Sequence, residues 1–259
     1  MAMSGICLIV ASLLMLVTWF IARALKNAGI VDVAWAFGFI ILVLICATLG
    51  GGWPPRRFFI AALTLIWSGR LGVYLTRRFL RHFPQEDSRY RHLREQAGEK
   101  ANQTLLFVFL WQGLIMTLLM TPAIISCANP AEGIAPVEWS GAILCLLGVI
   151  GESAADLQLA QFGRSEDNRG KVCSIGLWRY SRHPNYFFEW IVWLGFFVFA
   201  LASPYGWWAG YVPLMMLHLL INVTGVKPAE EQSLKSRGEA YIQYQKETSM
   251  FIPWFRKKA

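Results

Sequence analysis

The chain has 259 residues, 56% of them hydrophobic and only 15% charged, with mean hydropathy +0.43, a composition that excludes an ordinary water-soluble domain. Its net charge of +8 arises from 24 Lys+Arg against 16 Asp+Glu, and in so apolar a chain a basic excess marks cytoplasmic loops rather than nucleic-acid contact. With 12 Trp and 17 Phe, the expectation is a single all-α polytopic membrane domain over residues 1–259.

A hydrocarbon core ~30 Å thick requires about 20 apolar residues of helix, and seven stretches meet that requirement. The first runs from about Ser4 to Ala24; within it, Gly5 to Ala22 is similar to a signal-peptide core but lacks a basic n-region and is too long, so it is expected to remain as a helix. The second covers Ile30 to Leu49 and the third Phe58 to Leu80, separated by Gly50, Gly51, Gly52, Pro54 and Pro55. The fourth runs from Thr104 to Cys127, and Asn129, Pro130, Gly133 and Pro136 divide it from the fifth, Val137 to Ala160. The sixth is Pro184 to Ala202 and the seventh Trp207 to Val226, with a polar tail over 227–259.

Loop cations orient this bundle. Two follow the first helix (Arg23, Lys26), seven lie in 77–100, five in 161–183 and seven in 227–259, whereas the opposite side carries only Arg56 and Arg57. The bias predicts an outside N-terminus and a cytoplasmic tail. The five cysteines are odd in number, show no CxxC and sit mostly in apolar runs, so neither disulfides nor a metal site is expected.

A charge inside a membrane helix is costly unless paired or wet, which makes each one a candidate functional residue. Asp32 opens helix two, Arg70 lies within helix three, Glu152 and Asp156 end helix five, and Glu189 lies early in helix six. Helical spacing places Trp67, Arg70 and Tyr74 on one face, and Asp32, Trp35 and Phe39 on another. Glu152 and Asp156, four apart, repel each other unless a donor lies between them. In the run Arg182-His183-Pro184-Asn185-Tyr186, Pro184 suits a first helical turn, and Asn185 and Glu189 then share a face. The free N–H groups of that turn, with Arg179 and Arg182 beside it and Arg164, Arg169 and Lys171 upstream, suit the phosphates of a dinucleotide. The bland account of these cations is positive-inside bias, and of Asp32 with Arg70 a packing ion pair. No GxGxxG follows a predicted strand, so a dinucleotide would be held without a Rossmann unit.

On these residues the chain resembles the steroid 5-alpha-reductase family in its bacterial branch, over essentially its full length and most clearly from Glu152 onward. The resemblance rests on Glu152 and Asp156, the loop with Arg164, Arg169 and Lys171, Gly176-Leu177, and Asn185 followed four residues later by Glu189. It implies an oxidoreductase with seven helices, NADPH in a cytoplasm-facing pocket, and a steroid or similar lipophilic enone entering from the bilayer. In the family, these C-terminal positions contact the cofactor, which extends the expected set to Arg70, Arg179, Arg182, His183 and Tyr186. Lys227, Glu230 and Glu231 resemble the tail motif of sterol reductases and imply an adenosine-end contact. On helix three the family's proton-donating Tyr falls on Trp67, which cannot donate as a phenol does; Asp32 and Tyr74 are the remaining candidates. Trp35, Phe39 and Trp67 would pack on the flat substrate. The Arg182–Tyr186 run and the tail also look like isoprenylcysteine carboxyl methyltransferases, which bind S-adenosylmethionine, and a silent lipid-binding scaffold is a third reading. The expected state is a monomer with membrane lipid around it.

Overall fold

The computed structural model describes residues 2–256, among which the regular secondary structure is helical, with one isolated bridge between Ser181 and Ser249 and no strand. Six segments are long and apolar enough to cross a bilayer: Ala2–Leu25, Ile30–Leu49, Pro54–His82, Ser88–Leu119, Pro136–Arg164 and Gly206–Arg237. A further apolar helix, Pro184–Ala200, has 17 residues; at 1.5 Å per residue it measures about 26 Å, slightly less than the hydrocarbon thickness. The chain is a multi-pass integral membrane protein.

The helices are α1 (Ala2–Leu25), α2 (Ile30–Leu49), α3 (Pro54–His82), α4 (Ser88–Ala97), α5 (Ala101–Leu119), α6 (Thr121–Ala128), α7 (Pro136–Arg164), α8 (Pro184–Ala200), α9 (Tyr211–His218), α10 (Val226–Arg237) and α11 (Glu239–Glu247). Two elements differ from the sequence expectation. The fourth stretch breaks between α5 and α6, because Pro122 has no N–H to give the carbonyl of Leu118, and the Thr121 hydroxyl donates to that carbonyl instead, at 2.8 Å. The last stretch is a 3₁₀ segment (Gly206–Gly210), then α9, then a π turn (Leu219–Val223) before α10, and the polar tail forms α10 and α11.

The chain divides into two compact units, Met1–Ala135 with Ala200–Ala209, and Pro136–Phe199 with Gly210–Ala259. In the first, α2 packs on α3, and α1 on α5 and α2, around Phe39, Leu42, Ile60, Trp67, Phe109 and Met116. One end of this unit joins the helix two–three turn to the end of α6: Gly52 N donates to Cys127 O, and Trp53 N to Asn129 O, both at 2.9 Å. Buried Arg56 closes that end, donating to the carbonyls of Asn129, Ala131 and Gly133. At the other end Asn27, after α1, donates to the carbonyls of Pro84 and Gln85, and Trp19 to that of Asn102. All five cysteines are free, buried thiols.

In the second unit α7 and α8 run antiparallel at backbone distance. A Cβ at Gly148 would lie 2.8 Å from Phe188 O and from Val192 N, and one at Gly195 2.6 Å from Cys145 N and 2.7 Å from Gly141 O. Gly141 and Gly151 press in the same way on Phe199 and the Phe188 ring. Glycines at 141, 148 and 151 keep one helical face, and without lipid–water contrast to drive helices together, such close approach supplies the packing energy.

Candidate functional site

The α7/α8 register carries a buried polar set. It pairs Gly148 with Val192 and Gly151 with Phe188, so the next turns bring Asp156 to Asn185 and put Glu152 and Glu189 at one level. Asn185 Nδ2 donates to Asp156 Oδ1 at 3.2 Å, and Glu189 Oε1 accepts from Trp193 Nε1 at 2.9 Å. Glu152, Asp156 and Glu189 are all buried. The donor demanded by two carboxylates four apart on α7 is thus present in part as the Asn185 amide. Its Oδ1 is buried and has no hydrogen-bond partner among the described residues.

The loop that follows α7 is held to it by Gln158, whose Oε1 accepts from Leu177 N at 2.8 Å, and by Trp178, whose Nε1 donates to Ala155 O at 2.9 Å. Gly176, at φ +54°, makes the turn that lets Gln158 lie against the backbone. Arg164, Arg169, Lys171 and Arg179 are exposed along this loop.

Arg182 and His183 face inward. Arg182 forms a fork with Glu230, Nε to Oε1 at 2.6 Å and Nη2 to Oε2 at 3.2 Å, and its Nη1 donates to the carbonyls of Gln245 and Thr248. His183 Nε2 lies 3.1 Å from Glu230 Oε1, and its ring stacks on Tyr186 at 5.7 Å. Tyr241 Oη and Gln245 Nε2 also donate to the Glu230 carboxylate, at 3.2 and 2.8 Å. Burial, and after it the Glu230 charge, push the Tyr241 phenol up to about 12, so it stays a donor. Arg182 N donates to Ser249 O at 2.8 Å, and Tyr244 Oη to the carbonyls of Trp178 and Ser181, so the C-terminal segment is laced to the start of α8. Lys227 and Glu231 are exposed on α10.

In the first unit Asp32, at the start of α2, accepts from Arg89 Nη2 and Tyr90 Oη, each at 2.7 Å. Its partners are therefore on α4 and not Arg70. Arg89 also binds Asp87, Arg94 binds Glu86, and Glu86 Oε1 accepts from Ala28 N at 2.7 Å. Trp67 is wholly buried, edge-on to Phe39 at 5.1 Å; Phe39 in turn meets the half-buried Trp35 at 4.8 Å. The Arg70 guanidinium lies 5.7 Å from the ring of Tyr74, which is exposed.

Sequence reasoning missed Gln158, Trp178, Tyr241, Tyr244 and Gln245. For the last three a signal was present: residues at 241, 244 and 245 share a face of α11. For Arg89 and Tyr90 the signal was weaker, a pair of acids, Glu86 and Asp87, set in a basic stretch.

Among curated proteins, the chain is similar to an uncharacterized protein of Schizosaccharomyces pombe, 27% identical over 215 residues. The match takes in 72% of this chain and 62% of that relative. No solved structure matches. A family model described as "Protein of unknown function (DUF1295)" matches residues 18–248, nearly the whole bundle including the Asp156–Asn185 pair, and the chain belongs to that family.

Proposed function

We propose that this chain is an NADPH-dependent reductase of a lipophilic enone, of the steroid 5-alpha-reductase type, with seven spans, an outside N-terminus and a cytoplasmic tail. The observation that carries the reading is the Asp156–Asn185 hydrogen bond beside buried Glu152 and Glu189, next to an exposed basic loop. A carboxamide group both donates and accepts, and the buried Asn185 Oδ1 is an acceptor in need of a donor. That fits a nicotinamide carboxamide.

When bound, NADPH supplies a hydride to the β-carbon of the enone. Asp156, Asn185 and Glu189 would hold the nicotinamide end, and Arg164, Arg169, Lys171 and Arg179 the phosphates, with Lys227 and Glu231 toward the adenosine. Arg182, His183 and Glu230 hold the start of α8 in position, since the Glu230 carboxylate pairs with the Arg182 guanidinium and also meets His183 Nε2 at 3.1 Å. Both Asp32 oxygens already accept from Arg89 and Tyr90, which makes Asp32 a poor carbonyl-side donor. A donor there is worth most as negative charge develops on the enone oxygen.

Three buried carboxyl residues also suit a cation, which favours as a second reading the sulfonium of S-adenosylmethionine and a methyltransferase. Thermal unfolding of detergent-purified protein with NADPH, NADH and S-adenosylmethionine separates the two, since a ligand that binds the folded form raises its stability. NADPH is expected to stabilise most; stabilisation by S-adenosylmethionine alone would replace the reductase by the methyltransferase. Asn185→Ala is expected to raise the Kd for NADPH about tenfold, the worth of one hydrogen bond to a buried polar group. An unchanged Kd with intact folding refutes the nicotinamide assignment. Arg169→Gln with Lys171→Gln is expected to reduce the preference for NADPH over NADH about tenfold, through loss of charge-assisted contacts to the extra phosphate. An unaltered ratio removes that loop from phosphate contact.

A further inference from the structure

The acids and cations at one end of the first unit are sorted in an uneven way. Asp32, Glu86 and Asp87 are turned toward the protein, with side chains 26%, 12% and 20% exposed, and neutralise Arg78, Arg89 and Arg94, while Glu95, beside His92, and Glu99 are exposed. Six cations of the same end, Arg23, Lys26, Arg77, Arg81, Arg91 and Lys100, are exposed and make no ion pair with any described residue. They come together because the end of α1 is tied to the loop after α3 through Asn27 and Ala28, and to the start of α5 through Trp19. The guanidinium of Arg23 lies 4.8 Å over the Trp19 ring and remains exposed.

Apolar side chains alternate with these charges. Leu80 is 65% exposed beside Arg81, Phe83 44% and Leu25 39% beside Lys26. They cap the ends of helices whose middles are long enough to cross a bilayer. A surface that offers cations and apolar side chains together, at the depth where a membrane helix ends, matches an anionic phospholipid, which has a phosphodiester above and acyl chains below. A soluble anion has no use for the exposed Leu80 and Phe83.

We infer that this end of the first unit is a binding surface for anionic phospholipid headgroups, formed by six exposed cations that outnumber the exposed acids Glu95 and Glu99. The surface is independent of the reductase reading, and none of its residues has a role in it. Because Asp32, Glu86 and Asp87 are fixed inward by their ion pairs and only Glu95 and Glu99 are exposed, the outward charge of this end is net positive and faces the lipid. Juxtamembrane cations of this kind act additively, each strengthening binding about fivefold at low salt.

The test is thermal unfolding of the full chain in neutral detergent, titrated in separate arms with phosphatidylglycerol, phosphatidylcholine and inorganic phosphate. Phosphatidylglycerol is expected to raise Tm, phosphatidylcholine and inorganic phosphate to leave it near its starting value, and 0.5 M salt to erase the shift. In a variant carrying Arg77→Gln, Arg81→Gln, Arg91→Gln and Lys100→Gln, whose side chains make no ion pair with any described residue, the apparent affinity for phosphatidylglycerol should fall about fivefold for each cation removed. An equal shift with phosphatidylcholine, an equal shift with inorganic phosphate, or full retention of the phosphatidylglycerol shift by the variant each overturns the proposal. Should the fourfold variant fold poorly, Arg77→Gln with Arg81→Gln and the salt titration of the unsubstituted chain decide it in the same way.

Discussion

Glu230→Ala is expected to destabilise the folded chain by about 3–5 kcal/mol, the loss found when one partner of a buried charge pair is removed and the other stays behind. The Arg182 side chain is only 9% exposed and that of Glu230 15%. Alanine would leave the guanidinium facing a cavity, with its Nε and Nη2 unsatisfied, and would at once remove the acceptor shared by His183, Tyr241 and Gln245. Glu230→Gln keeps one acceptor oxygen and should lose less, which separates the charge from the shape of the side chain. Thermal unfolding in detergent reads both. If the alanine variant unfolds at the temperature of the unsubstituted protein, the network does not hold the tail to α8. If the proposed reductase reading holds, the same substitution bears on function, because Glu230 anchors His183 two residues before Asn185: the variant should then bind NADPH more weakly even at temperatures where it remains folded.

Gly195→Leu should also be damaging, for a different reason. A Cβ at 195 would sit 2.6 Å from Cys145 N and 2.7 Å from Gly141 O, which are backbone atoms that cannot turn aside. The helices must separate, and overpacking of this kind costs about 1–3 kcal/mol or more. Separation of α7 from α8 would also lengthen the 3.2 Å link between Asp156 and Asn185. Loss of thermal stability and, under the proposed reductase reading, of the shift NADPH induces is therefore the expected outcome, and Gly69→Leu, at a helical position where a Cβ meets nothing within 4 Å, is the control. If Gly195→Leu leaves unfolding temperature and ligand response as they were, backbone contact between α7 and α8 is not what sets the site.

Both experiments probe contacts that differ in how far they were legible from sequence. Asp156 and Asn185 were each visible as site candidates because each belongs to a local pattern, two acids four apart at the end of one helix, and an amide and an acid four apart after a helix-starting proline; that they bond to one another was not. Arg182 has no such local mark. Its partner Glu230 lies 48 residues away, and from sequence it was one more basic residue beside a helix start, as suited to a phosphate as to a carboxylate. Asp32 presents the same difficulty. An acid at the start of an apolar helix is visible at once, whereas its partners, 57 and 58 residues distant on α4, depend on how the chain folds back.

The amino-acid order alone determined that this is a helical membrane protein, where most of its spans lie, and which polar residues stand in apolar surroundings. The reason is that bilayer thickness imposes a length on apolar runs, and a helix imposes a period of 3.6 on its faces; both are local. Only the tertiary structure decided which charges cancel one another and which remain for a ligand or lipid, because an ion pair is a matter of distance in space between residues that the chain separates. It likewise decided that the fourth apolar stretch breaks at Thr121-Pro122 and that the last begins as 3₁₀ and ends as π. In these places the hydrophobic pattern is continuous, and only the backbone hydrogen bonds choose how it is wound.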